Sequence, residues 1–247
     1  MTGNTVELKL VPNPSNLNPS DKLRDFLRNN LEELSIVVQP GNPELPEFEL
    51  YARDFLRFAE LELNQNLESS LINCVGHLKR AIDCQLDVFL RVYGLDKVFN
   101  KNNLKFEKKL DFLRDVRVFS SRSLTRLNTI RNKMEHSYEV PKIQEIDIYF
   151  DLVSAFVAVL ERTILLCGHE VDLEFALNRP DNDWCSLKYD KTKLLFTACW
   201  IYKSRGEIEE LTVTIDDRDS FAFFFRVFML LAMREALTSD DYILSQL

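Results

Sequence analysis

Between residues 67 and 92 the apolar side chains Leu67, Leu71, Val75, Leu78, Ile82, Leu86, Phe89 and Val92 follow one another at steps of three and four. That period is the repeat of one face of an α-helix, and no strand can use it. A stripe of this length needs partners to cover it, so it commits this part of the chain to a helical bundle. Partners of the same kind flank it. Leu50, Phe55, Phe58 and Leu61 predict a helix near residues 47–63. Leu127, Ile130 and Met134 predict a third over 124–138, stopped or restarted at Pro141. The apolar run 143–166 predicts a fourth, ending near Gly168. A short basic connection leads from the second helix to the segment Phe106–Leu113, which precedes the third.

On either side of the bundle the pattern changes. Residues 1–19 are polar and hold Pro12, Pro14 and Pro19, which reads as a loose leader. A short helix capped at Ser20 or Asp21 follows it, with Leu23, Phe26, Leu27, Leu31 and Leu34 in helical spacing, and the breaker-rich stretch 39–46 closes the segment. After Gly168 apolar residues alternate with polar ones: Val171, Leu173 and Phe175, then Leu194, Phe196, Ala198, Trp200 and Tyr202, then Leu211, Val213 and Ile215. Ser204, Arg205 and Gly206 are a hairpin candidate between the last two runs. Asp216, Asp217 and Asp219 then precede an amphipathic stretch over 220–237 and read as a helix cap. The expected fold is mainly α with an α+β C-terminal part, in which a small antiparallel sheet packs against one helix. The expected divisions are 1–44, a leader with a short helix; 45–168, a helical bundle; and 169–247, a small α+β domain.

With 247 residues the chain can bury a core without staples, and its 6 Gly and 8 Pro exclude fibrous and low-complexity readings. Cys74, Cys84, Cys167, Cys185 and Cys199 are odd in number and never spaced as CxxC, so reduced thiols are expected rather than a disulfide framework or a zinc knuckle. The apolar stretch 221–236 is broken by Arg226 and Arg234, and residues 1–22 hold no apolar signal core. The expectation is therefore a cytoplasmic protein with no membrane span.

Charge is distributed unevenly. The net charge is −8, yet residues 97–133 carry 11 Lys and Arg against the three acids Glu107, Asp111 and Asp115. A basic band in an acidic protein points to a polyanion. Arg114, Arg117, Arg122, Arg126 and Lys133 are its candidate RNA-binding residues. A solvated, merely cationic helical face is the alternative.

The basic band runs into Arg131-Asn132-Lys133-Met134-Glu135-His136-Ser137-Tyr138. The pattern resembles the signature of the HEPN superfamily: an Arg, often followed by a polar residue, then a His after four to six residues, then often a Tyr two further on. Arg131, Asn132, His136 and Tyr138 each match, late on a bundle helix, and the likeness covers roughly residues 45–168. The resemblance implies a metal-independent endoribonuclease, often a toxin or antiviral-defence effector, that acts as a homodimer and needs no cofactor. It equally admits a module that has lost cleavage and binds a protein partner or a nucleotide. It also implies that Tyr138 is either part of the site or a regulatory residue modified by a nucleotidyltransferase-type antitoxin.

The chemistry agrees. Cleavage of RNA by its own 2′-hydroxyl needs a group that exchanges protons near neutral pH and a fixed cation on the phosphate. Imidazole and guanidinium are those groups. His136 is the candidate general acid/base and Arg131 the candidate phosphate clamp. Asn132, one turn before His136, can orient the imidazole or bind ribose. At about 100° per residue, however, Arg131 and His136 lie roughly 140° apart around a straight helix. Either the helix end distorts before Pro141 or two chains share a site. The plain structural alternative pairs Arg131 with Glu135 on a solvated surface and leaves His136 to cap the helix C-terminus. His77 and His169 read as a packed or solvent-facing residue and a turn residue. No metal site, P-loop, GxGxxG loop or GxSxG elbow is expected.

Overall fold

The computed structural model describes residues 9–11, 18–38, 44–65, 67–101, 106–140, 143–167, 173–177, 183–203, 205–234 and 238–247. In chain order the elements are β1 (Lys9–Leu10), α1 (Pro19–Asn30), a 3-10 turn (Leu31–Glu33), β2 (Leu34–Val38), α2 (Ala52–Leu63), α3 (Glu68–Val92), α4 (Asp96–Lys101), α5 (Phe106–Asp115), α6 (Arg122–Ser137), α7 (Ile143–Cys167), β3 (Leu173–Leu177), β4 (Trp184–Asp190), β5 (Leu195–Tyr202), β6 (Glu207–Thr214), α8 (Arg218–Ala232) and α9 (Asp240–Ser245). The chain is mainly helical and divides into two compact units, residues 43–165 and residues 1–42 with 166–247.

The first unit is helical. On α3, the longest stripe of the sequence, Leu71, Val75, Leu78, Ile82, Leu86, Phe89 and Val92 are all buried. Each such side chain contributes about 1.5–3 kcal/mol by leaving water. Gly94, with φ 71°, turns the chain out of the helix in a conformation that an L side chain resists. Helix α2 packs along α3 through Leu56 and Ala59. The guanidinium of Arg53 on α2 holds Glu161 of α7 in a two-pronged ion pair, Nη2 to Oε2 at 2.6 Å and Nε to Oε1 at 3.0 Å. Lys109 of α5 reaches Asp87 of α3 at 2.9 Å. Helix α6 begins at Ser121, whose Oγ accepts from the amides of Ser123 and Leu124. It buries Leu124 and Leu127 and packs on α3.

The second unit contains a six-stranded sheet in the order β1-β6-β5-β4-β3-β2. Strands β2 to β6 are antiparallel to their neighbours, and β1 pairs with β6 in parallel. Four strands come from the C-terminal part. The other two come from the N-terminal segment that the sequence suggested as a leader. One sheet face presents Cys185, Leu187, Tyr189, Phe196, Ala198, Trp200, Leu211 and Val213, all buried. Phe221, Phe224, Phe225 and Phe228 of α8 cover it, with Phe196 stacked on Tyr189 at 4.6 Å between ring centres and met edge-on by Phe221 at 5.3 Å. Asp217 caps α8, as its acidic approach suggests, accepting from the Ser220 amide at 3.2 Å.

The N-terminal segment does not stand apart from this unit. Leu23, Leu27, Leu31 and Leu34 are buried, and α1 lies beside α8 and β6. Two helices therefore pack on the sheet where one was expected. Arg234, just past α8, ties the segment down. Its guanidinium donates to the carbonyls of Leu31, at 2.7 Å, and Leu34, and grips Asp240 through Nε at 2.7 Å and Nη2 at 2.8 Å. The helical spacing through Leu31 and Leu34 ends earlier than the sequence suggested, because from Leu34 onward the backbone bonds are taken by β3. The hairpin between β5 and β6 turns at Gly206, φ 65°. Ser204, Pro141, Gly168 and residues 235–237, on which several expected boundaries fall, lie outside the described residues. No helix among the described residues is long and apolar enough to cross a membrane.

Candidate functional site

All but one of the motif residues ride on the last two turns of α6. The helix is regular through Ser137, and the backbone departs from it only at Tyr138, which ends it in the left-handed conformation at φ 56° and ψ 30°. A β-carbon makes that conformation costly, so the turn is a strained helix stop. Because the distortion follows His136, it does not bring Arg131 and His136 onto one face.

Arg131 is half-buried and committed. Its Nε donates to Glu135 Oε1 at 2.7 Å and its Nη1 to Asn132 Oδ1 at 3.3 Å. Neither bond reaches His136, which is exposed and whose imidazole has no hydrogen bond among the described residues. Asn132, also exposed, lies one turn before His136 on the same flank. The Tyr138 side chain is 87% exposed. Lys133 stands 3.8 Å from Glu139. The surface pairing of Arg131 with Glu135, the plain alternative in the sequence, is thus formed in the single chain.

The rest of the basic band is uneven. Arg114 is paired on both sides, with Asp111 at 2.8 Å and Asp115 at 3.3 Å, and these two carboxylates hold its guanidinium proton more tightly than usual. Arg117 is exposed in a left-handed turn, φ 60°, after α5. Arg122 and Arg126 are exposed and have no carboxylate partner among the described residues. Between α5 and the first turn of α6 runs a groove of about 480 Å³ lined by Asp111, Arg114, Phe119, Ser121, Arg122 and Thr125. It opens at the end of α6 away from His136, roughly 20 Å along the axis at 1.5 Å per residue. None of the motif residues lines this groove.

Comparison with protein-family models, curated proteins and solved structures finds no significant match. The site therefore stands on its own geometry.

The other candidates are structural. His77 packs against Phe58 with ring centres 5.5 Å apart. Burial and then the neighbouring Arg80 push its imidazole below the ordinary range, while Glu62 opposes them. His169 lies outside the described residues. No group of three or more His, Cys, Asp or Glu is placed to hold a metal ion among the described residues. Cys74, Cys84, Cys185 and Cys199 are free thiols. Burial, reinforced by Glu62 and Asp147, pushes Cys74 up to about 12, and full burial raises Cys185 well above the ordinary thiol range. Such thiols are poor nucleophiles at neutral pH.

The sequence made the Arg131–His136 separation legible through their spacing. What it missed is the left-handed conformation in which Tyr138 ends the helix. Nothing in Ser137-Tyr138-Glu139 demands a left-handed residue there, since glycine or asparagine is the usual signal.

Proposed function

We propose that this chain is a HEPN-type, metal-independent endoribonuclease whose site is completed where two copies meet. The observation that carries the reading is the grouping of Arg131, Asn132, His136 and Tyr138 on one solvent-exposed helix end, with Arg131 and His136 facing different ways. A helix end that presents a phosphate-binding guanidinium on one side and an imidazole on the other supplies half a site in each direction. Two copies related by a twofold axis bring His136 of one opposite Arg131 of the other.

In that arrangement Arg131 holds the scissile phosphate and offsets its growing negative charge. Imidazole takes the proton of the 2′-hydroxyl while the 2′-oxygen bonds to phosphorus. The bond from phosphorus to the 5′-oxygen breaks, and that oxygen receives a proton from imidazolium. The products are a 2′,3′-cyclic phosphate and a 5′-hydroxyl. Asn132 orients the imidazole or holds the ribose. The exposed Tyr138 ring suits either a contact to RNA or modification by a nucleotidyltransferase-type antitoxin, in keeping with a role as a toxin or antiviral effector in the cytoplasm.

One observation favours a second reading. The Arg131–Glu135 ion pair neutralises the clamp in the single chain, as a non-catalytic module binding a protein partner or a nucleotide would tolerate. Incubation of the purified chain with total RNA in EDTA separates the two. The nuclease reading expects cleavage that persists in EDTA, leaves cyclic phosphate ends and falls at least about a hundredfold in His136→Ala. A folded dimer that leaves RNA intact supports the binding module. Cleavage abolished by EDTA overturns the metal-independent mechanism.

A further inference from the structure

The solvent face of α6 carries more than the motif. Its inward side is fixed by the buried Leu124 and Leu127. With 3.6 residues per turn, the positions opposite them are Arg122, Arg126, Thr129, Lys133 and His136, all within about 40° of Arg122 around the axis. All five are exposed. They form a straight row about 21 Å long at 1.5 Å per residue. The only carboxylate of α6, Glu135, lies off this row and is engaged by Arg131. Arg122 and Arg126 have no carboxylate partner among the described residues, and Lys133 has only the 3.8 Å approach of Glu139. Thr129 uses its hydroxyl within the helix, donating to the Thr125 carbonyl at 3.1 Å.

We propose that this row is a track for the phosphodiester backbone of single-stranded RNA, leading to His136. The inference rests on the ribonuclease reading only for what happens at the end of the track; the binding stands on charge and geometry. A row of cations without a carboxylate in it is complementary to a polyanion, and binding gains from the release of that polyanion's counterions. A flexible single strand can follow a convex helical ridge, whereas the deep, narrow major groove of an RNA duplex cannot admit one. Arg131 is off the track, so the cation beside His136 within one chain is Lys133, one turn back on the same face. Arg114, paired with Asp111 and Asp115 on its own helix, is off it as well, which separates it from the cations without a carboxylate partner on α6.

The test uses the full chain and a short fluorescein-labelled 2′-O-methyl oligouridylate, which cannot be cleaved by 2′-hydroxyl attack. Anisotropy titrations at several salt concentrations compare the wild type, the triple variant Arg122→Gln/Arg126→Gln/Lys133→Gln, and Arg114→Gln. The triple variant is expected to bind at least about tenfold more weakly, with its log–log salt slope shallower by about 2, from roughly 0.7 per lost single-strand contact. Arg114→Gln stays within about twofold of the wild type, since its charge is already neutralised by two carboxylates. Circular dichroism of the triple variant verifies the fold, and each single substitution gives a smaller loss in the same direction. Single-stranded DNA bound with the same slope supports backbone recognition.

Unchanged affinity and slope in the triple variant overturn the track. So does binding to phosphatidylserine vesicles that needs these residues while RNA does not bind. The two proposals fail separately. A wild type that binds through the row but leaves unmodified RNA intact retains the track and loses the nuclease. A wild type that cleaves, with a triple variant that binds and cleaves as well, does the reverse.

Discussion

Arg24 and Arg234 of the sheet unit and Arg122 and Arg126 on α6 of the helical unit are used in opposite ways. In the sheet unit Arg234 spends its guanidinium on Leu31, Leu34 and Asp240, and Arg24 donates to the Leu247 carbonyl at 2.7 Å while lying over the Phe223 ring. Its centre is a cluster of aromatic rings. On α6 of the helical unit, Arg122, Arg126 and His136 are left to solvent without partners among the described residues. The difference leaves α6 with exposed cations at its surface, while Arg24 and Arg234 of the sheet unit are used in that unit's own contacts.

The sharpest way to break that contrast is to empty the aromatic centre. Phe196→Ala removes a fully buried ring in contact with Tyr189 and four rings of α8, and should cost about 3–5 kcal/mol. Trp184 and Trp200, the only two tryptophans, both belong to the sheet unit, so urea unfolding followed by their fluorescence reads that unit alone. A loss below about 1 kcal/mol would deny that the rings form the core. Arg234→Met comes next, at about 3 kcal/mol, because it leaves the Asp240 carboxylate and the two carbonyls without their donor. Its unfolding midpoint in urea should fall with little change in slope.

On α6 the same kind of substitution should leave stability alone. Glu135→Gln releases Arg131 from its ion pair and should shift stability by no more than about 0.5 kcal/mol. It should tighten oligonucleotide binding by about two- to fivefold, read by anisotropy. A large loss of stability instead would mean that the pair belongs to the fold.

The smallest effect is expected at the turn between β4 and β5. Asp190 accepts from the Thr192 hydroxyl at 2.6 Å and from the amides of Thr192 and Lys193, and these bonds, the hydroxyl first, hold its carboxyl down at about 2. A carboxyl depressed by folding adds stability above its unfolded value near 3.9, and that stability is lost as pH falls through the folded value. Exposure limits the effect to under about 1 kcal/mol. Asp190→Asn should therefore lower the unfolding midpoint at pH 7 by no more than that amount and flatten its fall between about pH 4 and pH 2, so that variant and wild type converge at the acid end. An unchanged acid limb would remove the turn from the stability account.

Much of this contrast can be read from the residues. The α3 stripe specifies its own burial because every third or fourth side chain is apolar, and the acids before α8 specify its cap. Strand β4 was also within reach, since Cys185, Leu187 and Tyr189 alternate with Ser186 and Lys188 directly after the turn-forming run Pro180-Asp181-Asn182-Asp183. Strand β2 was not. Leu34 continues the helical spacing of α1, and only pairing with β3, some 140 residues away in the chain, draws Leu34–Val38 into the sheet. The N-terminal segment reads as a leader for the same reason, because its partners, β6, α8 and Arg234, are all remote in sequence. At the candidate site the spacing of Arg131, Glu135 and His136 gave both the ion pair and the divergence of the motif, since i, i+4 and i, i+5 relations are local. The left-handed stop at Tyr138 was hidden.

The claim that two copies complete one site is tested most directly by mixing two inactive chains. Arg131→Ala and His136→Ala proteins, each unable to cleave RNA, are combined under conditions that exchange subunits, and cyclic phosphate ends are counted in EDTA. A shared site predicts that mixing restores cleavage to roughly a quarter of the wild-type rate, because half of the dimers formed at random carry one intact pairing out of two. No recovery on mixing, from variants that exchange subunits and are folded, would contradict the account.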